Sequence, residues 1–165
     1  MTDIISSDTQ SLNYQELVDS LNRLLRIRTT PIGMKMYEQA ADMEAIPRIR
    51  RPQAIHTTDQ IVGMAARNGW TVGITADDLV GAQCKAVIGL HPRDEEWLAG
   101  ERYRDVWYGD EESARAHQQA MDVVAFGHYQ AMAVSPLASG RLGPPDICLI
   151  YATPAQMILF INGLQ

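Results

Sequence analysis

The stretch PPDICLIYATPAQMILFINGLQ, residues 144–165, passes from an apolar strand into a capped helix, and the fold turns on how that helix is covered. Ile147 to Ile150 form a short apolar run of strand character. Thr153 then reads as a helix N-cap, and Pro154 sits at the first helical position, where its missing N–H costs nothing and its fixed φ suits the helix. Met157, Ile158, Leu159, Phe160 and Ile161 follow in succession, so the helix is apolar on every side and requires burial all round. Fully buried, each such side chain is worth about 1.5–3 kcal/mol, and together they rival the stability of a whole domain. The expectation is that a second polypeptide, a separate subunit or a cleaved C-terminal part, packs on residues 154–165. The self-contained alternative tucks the helix between the chain's own sheet and its first helix.

Working back from this segment, helix and strand signals alternate along the chain. Asn13 and Glu16 have the spacing of a capping box, and Leu17, Leu21, Leu24 and Leu25 recur with helical period, which predicts a helix over about 13–26. In IGMKMYE, Ile32, Met34 and Met36 alternate with Gly33, Lys35 and Tyr37, the period of a half-buried strand. Residues 39–52 read as loop. A helix over about 53–67 stops at Asn68-Gly69. WTVGIT reads as a strand, and Thr75 with Asp77 and Asp78 predicts a helix running to about residue 89. A further helix is expected over about 111–121, and QAMAVSPL and DICLIYA are strands separated by the turn-rich ASGRLGPP. The pattern predicts an α/β or α+β fold: a mixed sheet of about four or more strands with helices packed on it, completed by a second segment or chain. Residues 1–12 are expected to be a flexible tail and 13–165 a single domain.

Bulk composition narrows the function classes. The chain has 165 residues, 46% of them hydrophobic, and a net charge of -6. That is enough chain for a sizeable core, and the acidic balance argues against a nucleic-acid backbone as partner. No apolar run approaches the ~18 residues of a membrane span, and MTDIISSDTQS has neither the basic nor the apolar region of a secretory signal. Cys84 and Cys148 are the two cysteines. Their wide separation is neither a disulfide framework nor a CxxC metal knuckle, which fits a reducing cytoplasm.

Several residues are candidates for chemistry. Cys84, beside Lys85, is a candidate nucleophile or ligand, although the expected helix start puts it two turns from the dipole that lowers thiol pKa values. The competing reading is a small buried cysteine packing like alanine. Cys148, inside an apolar strand, reads as core. Of the histidines, none shows HxxxH or HxH spacing, and His56 is the one nominated for a catalytic or metal-linked role against a solvated-helix alternative. Arg48, Arg50 and Arg51 in PRIRRP, with Arg141 as a further contributor, have the chemistry to clamp a carboxylate or phosphate, or else form a solvated run. In DVWYGDEE and HYQAM, Trp107, Tyr108, His128 and Tyr129 are candidates for aromatic or acid/base lining, or else form core edges. The junctions GIT-ADD and IYA-TPAQ each end a strand and open a capped helix; only the second, with Thr153, suits an anion. There is no GxxxxGK[ST], GxGxxG or GxSxG, so nucleotide binding and acyl-transfer hydrolysis have no motif support.

Together, TTPIGMKMYE, AARNG, TADDLVGAQCKAVIGL, YQAMAVSPL and PPDICLIYATPAQMILFINGLQ resemble the N-terminal part of the domain of unknown function 169 family over most of residues 15–165. The resemblance implies uncharacterised bacterial and archaeal relatives whose cysteines suggest a thiolate or metal-linked role. It also implies a continuation past the last helix into a segment with further cysteines and glycines. Where some relatives carry a cysteine in the second helix this chain has QAIHTT, which makes His56 a candidate replacement. The reading is one chain of a cytoplasmic, enzyme-like assembly binding a small anionic or aromatic organic molecule at a site shared with a second chain. The cofactor, the metal, if any, and the reaction are left open. The alternative is a non-catalytic binding or scaffold subunit with structural cysteines. A ligand-sensing regulator lacks a DNA-reading helix rich in Arg or Lys.

Overall fold

The structure, a computed structural model, describes residues 13–102 and 104–163. The expected tail at 1–12 lies outside the described residues. Helix α1 (Tyr14–Leu25) starts at Asn13, whose side chain accepts from the Glu16 N–H, and ends at Arg26 in the left-handed conformation. Strand β1 (Ile32–Tyr37) follows, then a short helix α2 (Ala40–Glu44) inside the segment read as loop, then α3 (Thr58–Asn68), capped by Gly69.

Strand β2 (Val72–Thr75) leads into the largest departure from the sequence reading. The helix expected from Thr75 onward is only a 3-10 turn at Ala76–Asp78, after which Leu79 returns to extended backbone and α4 begins at Ala82 and ends at Val87. The reason lies in tertiary bonding. The His56 N–H donates to the Asp78 carbonyl and the Val80 N–H donates to the His56 carbonyl, both at 2.9 Å, while the Leu79 side chain is sunk in the core. A helix through 79–81 would forfeit all three, so the cap signal ends after one turn.

Helices α5 (Glu95–Ala99) and α6 (Glu111–Ala120) pack together around buried Trp97 and Ala114. Strand β3 (Ala131–Pro136), the brief β4 (Ile147–Leu149) and α7 (Pro154–Asn162) complete the described chain. The sheet order is β2-β3-β1-β4 and every pairing is antiparallel, so the architecture is an α+β fold: a four-stranded sheet with helices packed on it.

The pleat divides the residues of each strand between two faces. Ile32, Met34, Val72, Ile74, Met132 and Val134 form one face and bury against Ile61, Val62 and Ala65 of α3. The opposite face carries small residues, Gly73, Ala131 and Ala133, against Met43 and Ile46 of the α2 region. A Cβ at Gly73 would collide with Met43 Sδ and Ile49 Cδ1, which is why the sheet carries glycine there. Deeper on this face the Thr71 and Ser135 hydroxyls bond at 2.8 Å, and Arg141 Nη1 donates to Thr71 Oγ1 at 2.9 Å. The Thr71 and Ser135 hydroxyls are thereby paired rather than orphaned.

Candidate functional site

The cleft that the fold builds lies where three segments distant in sequence converge: the α1–β1 turn, one face of α3, and the β4–α7 junction. One lobe, of about 490 Å³, is walled by Arg28, Thr29 and Thr30, floored by Asp59, Val62, Gly63, Ala66 and Arg67 of α3, and closed on one side by Tyr151. A second lobe, of about 650 Å³, shares Arg28, Thr29 and Tyr151 and extends to Arg26, Thr153 and Gln156. Volumes of this size suit a small organic molecule.

Local sequence explains each wall. The α3 positions recur at i, i+3, i+4, i+7 and i+8, one helix face, while Ile61 and Ala65 turn toward the sheet and Val62 stands at the boundary between the two. Thr153 caps α7: its backbone N–H donates to Gln156 Oε1 at 2.8 Å, and its Oγ1 accepts from the Gln156 N–H at 3.4 Å. The start of α7 is held to the end of α1 by Gln156 Nε2, which donates to the carbonyls of Leu25 and Arg26.

Three arginines and one aspartate are the charged side chains among the described residues that line the cleft. Among the described residues Arg26, Arg28 and Arg67 form no ion pair, and Asp59 is the one carboxylate lining either lobe. Guanidinium groups without a carboxylate partner are suited to bidentate contact with a carboxylate or phosphate. The N-terminus of α7 adds partial positive charge at the second lobe. Gly63 sits mid-helix with ordinary φ, and a Cβ built on it meets no atom of the described residues within 4 Å. Neither packing nor backbone geometry requires glycine there, although it costs the helix about 1 kcal/mol relative to alanine.

Of the residues nominated from sequence, Thr153 lies in the cleft and the others do not. Arg50 lays its guanidinium 4.4 Å from the centroid of the Trp70 ring. Arg51 is neutralised by Glu44 at 2.9 Å and by Asp78, and also donates to Thr75 Oγ1. Arg48 is exposed in a left-handed conformation. The three arginines therefore do not converge. Arg51 and His56 do meet at the GIT-ADD junction, both bonded to Asp78, the first through its side chain and the second through its backbone. Tyr129 packs edge-on against His128, with ring centroids 4.4 Å apart.

Cys84 is the third residue of α4 rather than two turns inside a helix, because α4 starts late, and its side chain is exposed rather than buried. Cys148 is likewise exposed, since β4 is a sheet edge instead of an interior strand, although burial against its neighbours pushes its thiol pKa up. Among the described residues no group of three or more His, Cys, Asp or Glu is arranged to hold a metal ion. No helix among them is long and apolar enough to cross a membrane.

Arg26, Arg28, Asp59, Gly63, Arg67 and Tyr151 escaped the sequence reading. Arginines following a helix C-terminus read as complements of the helix dipole. The mid-helix glycine was the available signal, because it breaks local preference without a turn to justify it. No curated protein and no solved structure matches the chain. A family model does match, across residues 20–165, and the chain belongs to that family, DUF169, described as Uncharacterised ArCR, COG2043.

Proposed function

We propose that this chain is one component of a cytoplasmic, enzyme-like assembly that binds a small anionic or aromatic organic molecule in the two-lobed cleft, with a second polypeptide covering α7 and completing the site. The observation that carries the reading is the set of three arginines, Arg26, Arg28 and Arg67, free of carboxylate partners among the described residues and gathered around Tyr151. Beside them, Ile158, Leu159 and Ile161 of α7 are 59%, 59% and 50% exposed. An exposed apolar surface rimmed by polar groups marks an interaction site, and here it lies beside the cleft. Two free, well-separated cysteines suit a reducing compartment.

The test is a titration of the purified chain with inorganic phosphate and benzoate, followed by amide chemical shifts. Binding with shifts at Arg28, Thr29 and Thr153 is expected, and Arg28→Gln weakens it by about 10–100-fold, the worth of one charge-assisted hydrogen-bonding group. Identical affinities for wild type and Arg28→Gln would remove the cleft as the site. Native mass of the protein isolated under gentle conditions from its own source checks the second polypeptide: a mass equal to the single chain argues against it.

A further inference from the structure

We infer that the lobe floored by α3 selects a flat aromatic carboxylate, its ring lying on the helix backbone at Gly63 and its carboxylate meeting Arg28. This rests on the reading that the cleft takes an organic anion, and adds the shape it selects.

Three observations converge on it. The middle of the α3 face is a low step made by Gly63 and Ala66, with Val62 beside it, so a plane can approach the helix backbone closely. Among the described residues the glycine is not there for any protein neighbour, since a Cβ would meet none of them within 4 Å. Local rules broken without a structural compensation gather at functional sites. Tyr151, lining the same lobe and 55% exposed, supplies an aromatic face for offset or edge contact with a ring. The charges stand at the ends of the step. Asp59 and Arg67 are eight residues apart, about 12 Å along the helix axis, which is longer than one ring and leaves the floor between them apolar. Arg28 lines the same lobe from the α1–β1 turn, and its planar guanidinium matches a carboxylate bidentately.

Benzoate and cyclohexanecarboxylate carry the same charge on rings of like size, one flat and one puckered, and inorganic phosphate reports on the arginines alone. Each is titrated into the full chain and into Gly63→Ala, Gly63→Leu and Arg28→Gln, followed by amide shifts. Alanine and leucine both favour a helix, and a Cβ meets no described residue within 4 Å, so both variants are expected to fold, which a melting curve of each checks. In the wild type, benzoate is expected to bind about fivefold or more tightly than cyclohexanecarboxylate, the worth of one aromatic contact, with shifts at Gly63 and Ala66. Gly63→Leu weakens benzoate about tenfold and leaves phosphate nearly unchanged, Gly63→Ala is intermediate, and Arg28→Gln weakens all the anions. Equal affinity for the two ring acids, shifts confined to α7, or an unchanged benzoate affinity in Gly63→Leu overturns the inference. If phosphate still responds through Arg28 in those cases, the anion cleft stands without the shape selectivity. If no anion binds the wild type, both readings fall.

Discussion

Gln156 reaches across the molecule to Leu25: its Nε2 donates to the Leu25 carbonyl at 2.7 Å and also to that of Arg26 at 3.0 Å. The same side chain accepts the Thr153 N–H through Oε1 at 2.8 Å. One amide thus closes the start of α7 and the end of α1, and it holds Arg26 and Thr153 on the same lobe of the cleft. Unsatisfied carbonyls at a helix C-terminus and unsatisfied N–H groups at an N-terminus are both costly, and here they share one remedy.

Gln156→Glu separates the two halves of that role. Glutamate keeps the acceptor and is a favoured partner in a capping box, but it loses the donor and sets a carboxylate against two carbonyl oxygens. The expected loss is about 1–3 kcal/mol, at least as large as for Gln156→Ala. Urea unfolding midpoints measure both. A neutral Gln156→Glu would show that the α1–α7 link contributes nothing.

The apolar outer surface of α7 is not core for this chain. Ile158→Gln and Leu159→Gln are expected to change the stability of the chain alone by no more than about 0.5 kcal/mol. Ile61→Ala, at a fully buried position of α3, is expected to cost about 2–5 kcal/mol. Chemical denaturation of the three variants compares them directly. A loss at Ile158 as large as at Ile61 would mean that the chain covers this helix itself.

Gly63→Ala stabilises the chain if the glycine serves a ligand rather than the fold. With an ordinary φ and open space at Cβ, the expected gain is about 0.4–1 kcal/mol, seen as a higher melting temperature. A lowered melting temperature would show that glycine is needed by the structure after all.

Cys148 sits on the edge strand with a thiol whose pKa is raised by burial. The folded chain therefore holds this proton more tightly than the unfolded chain does. The stability that follows is present below the unfolded thiol's pKa and is lost as pH rises through the folded one. Iodoacetamide reacts with thiolate, so Cys148 is expected to alkylate more slowly in the folded chain than in urea near pH 8, the difference shrinking as pH rises. Peptide mass spectrometry after timed quenching gives both rates. Equal rates at pH 8 would contradict the shift.

Much of the local structure was legible in the residues. Asn13 with Glu16 opens α1, the alternation of Ile32, Met34 and Met36 marks β1, Asn68-Gly69 closes α3, and Thr153-Pro154 opens α7, each where the chain has it. Caps and periodicities act through backbone hydrogen bonds and φ preferences within a turn of the residue that carries them, so they survive being read one segment at a time. The same reading failed at Thr75, where a sound cap is followed by a single turn, because bonds from His56 and the burial of Leu79 outweigh it. It failed at Cys148, whose apolar neighbours suggested an interior strand until the sheet order placed β4 at an edge. The cleft belongs wholly to this second kind. Arg28, Gly63 and Tyr151 carry no mutual spacing, and what brings them together is the packing of α3 on the sheet and the docking of α7 against α1, decided by long-range burial rather than by any local preference.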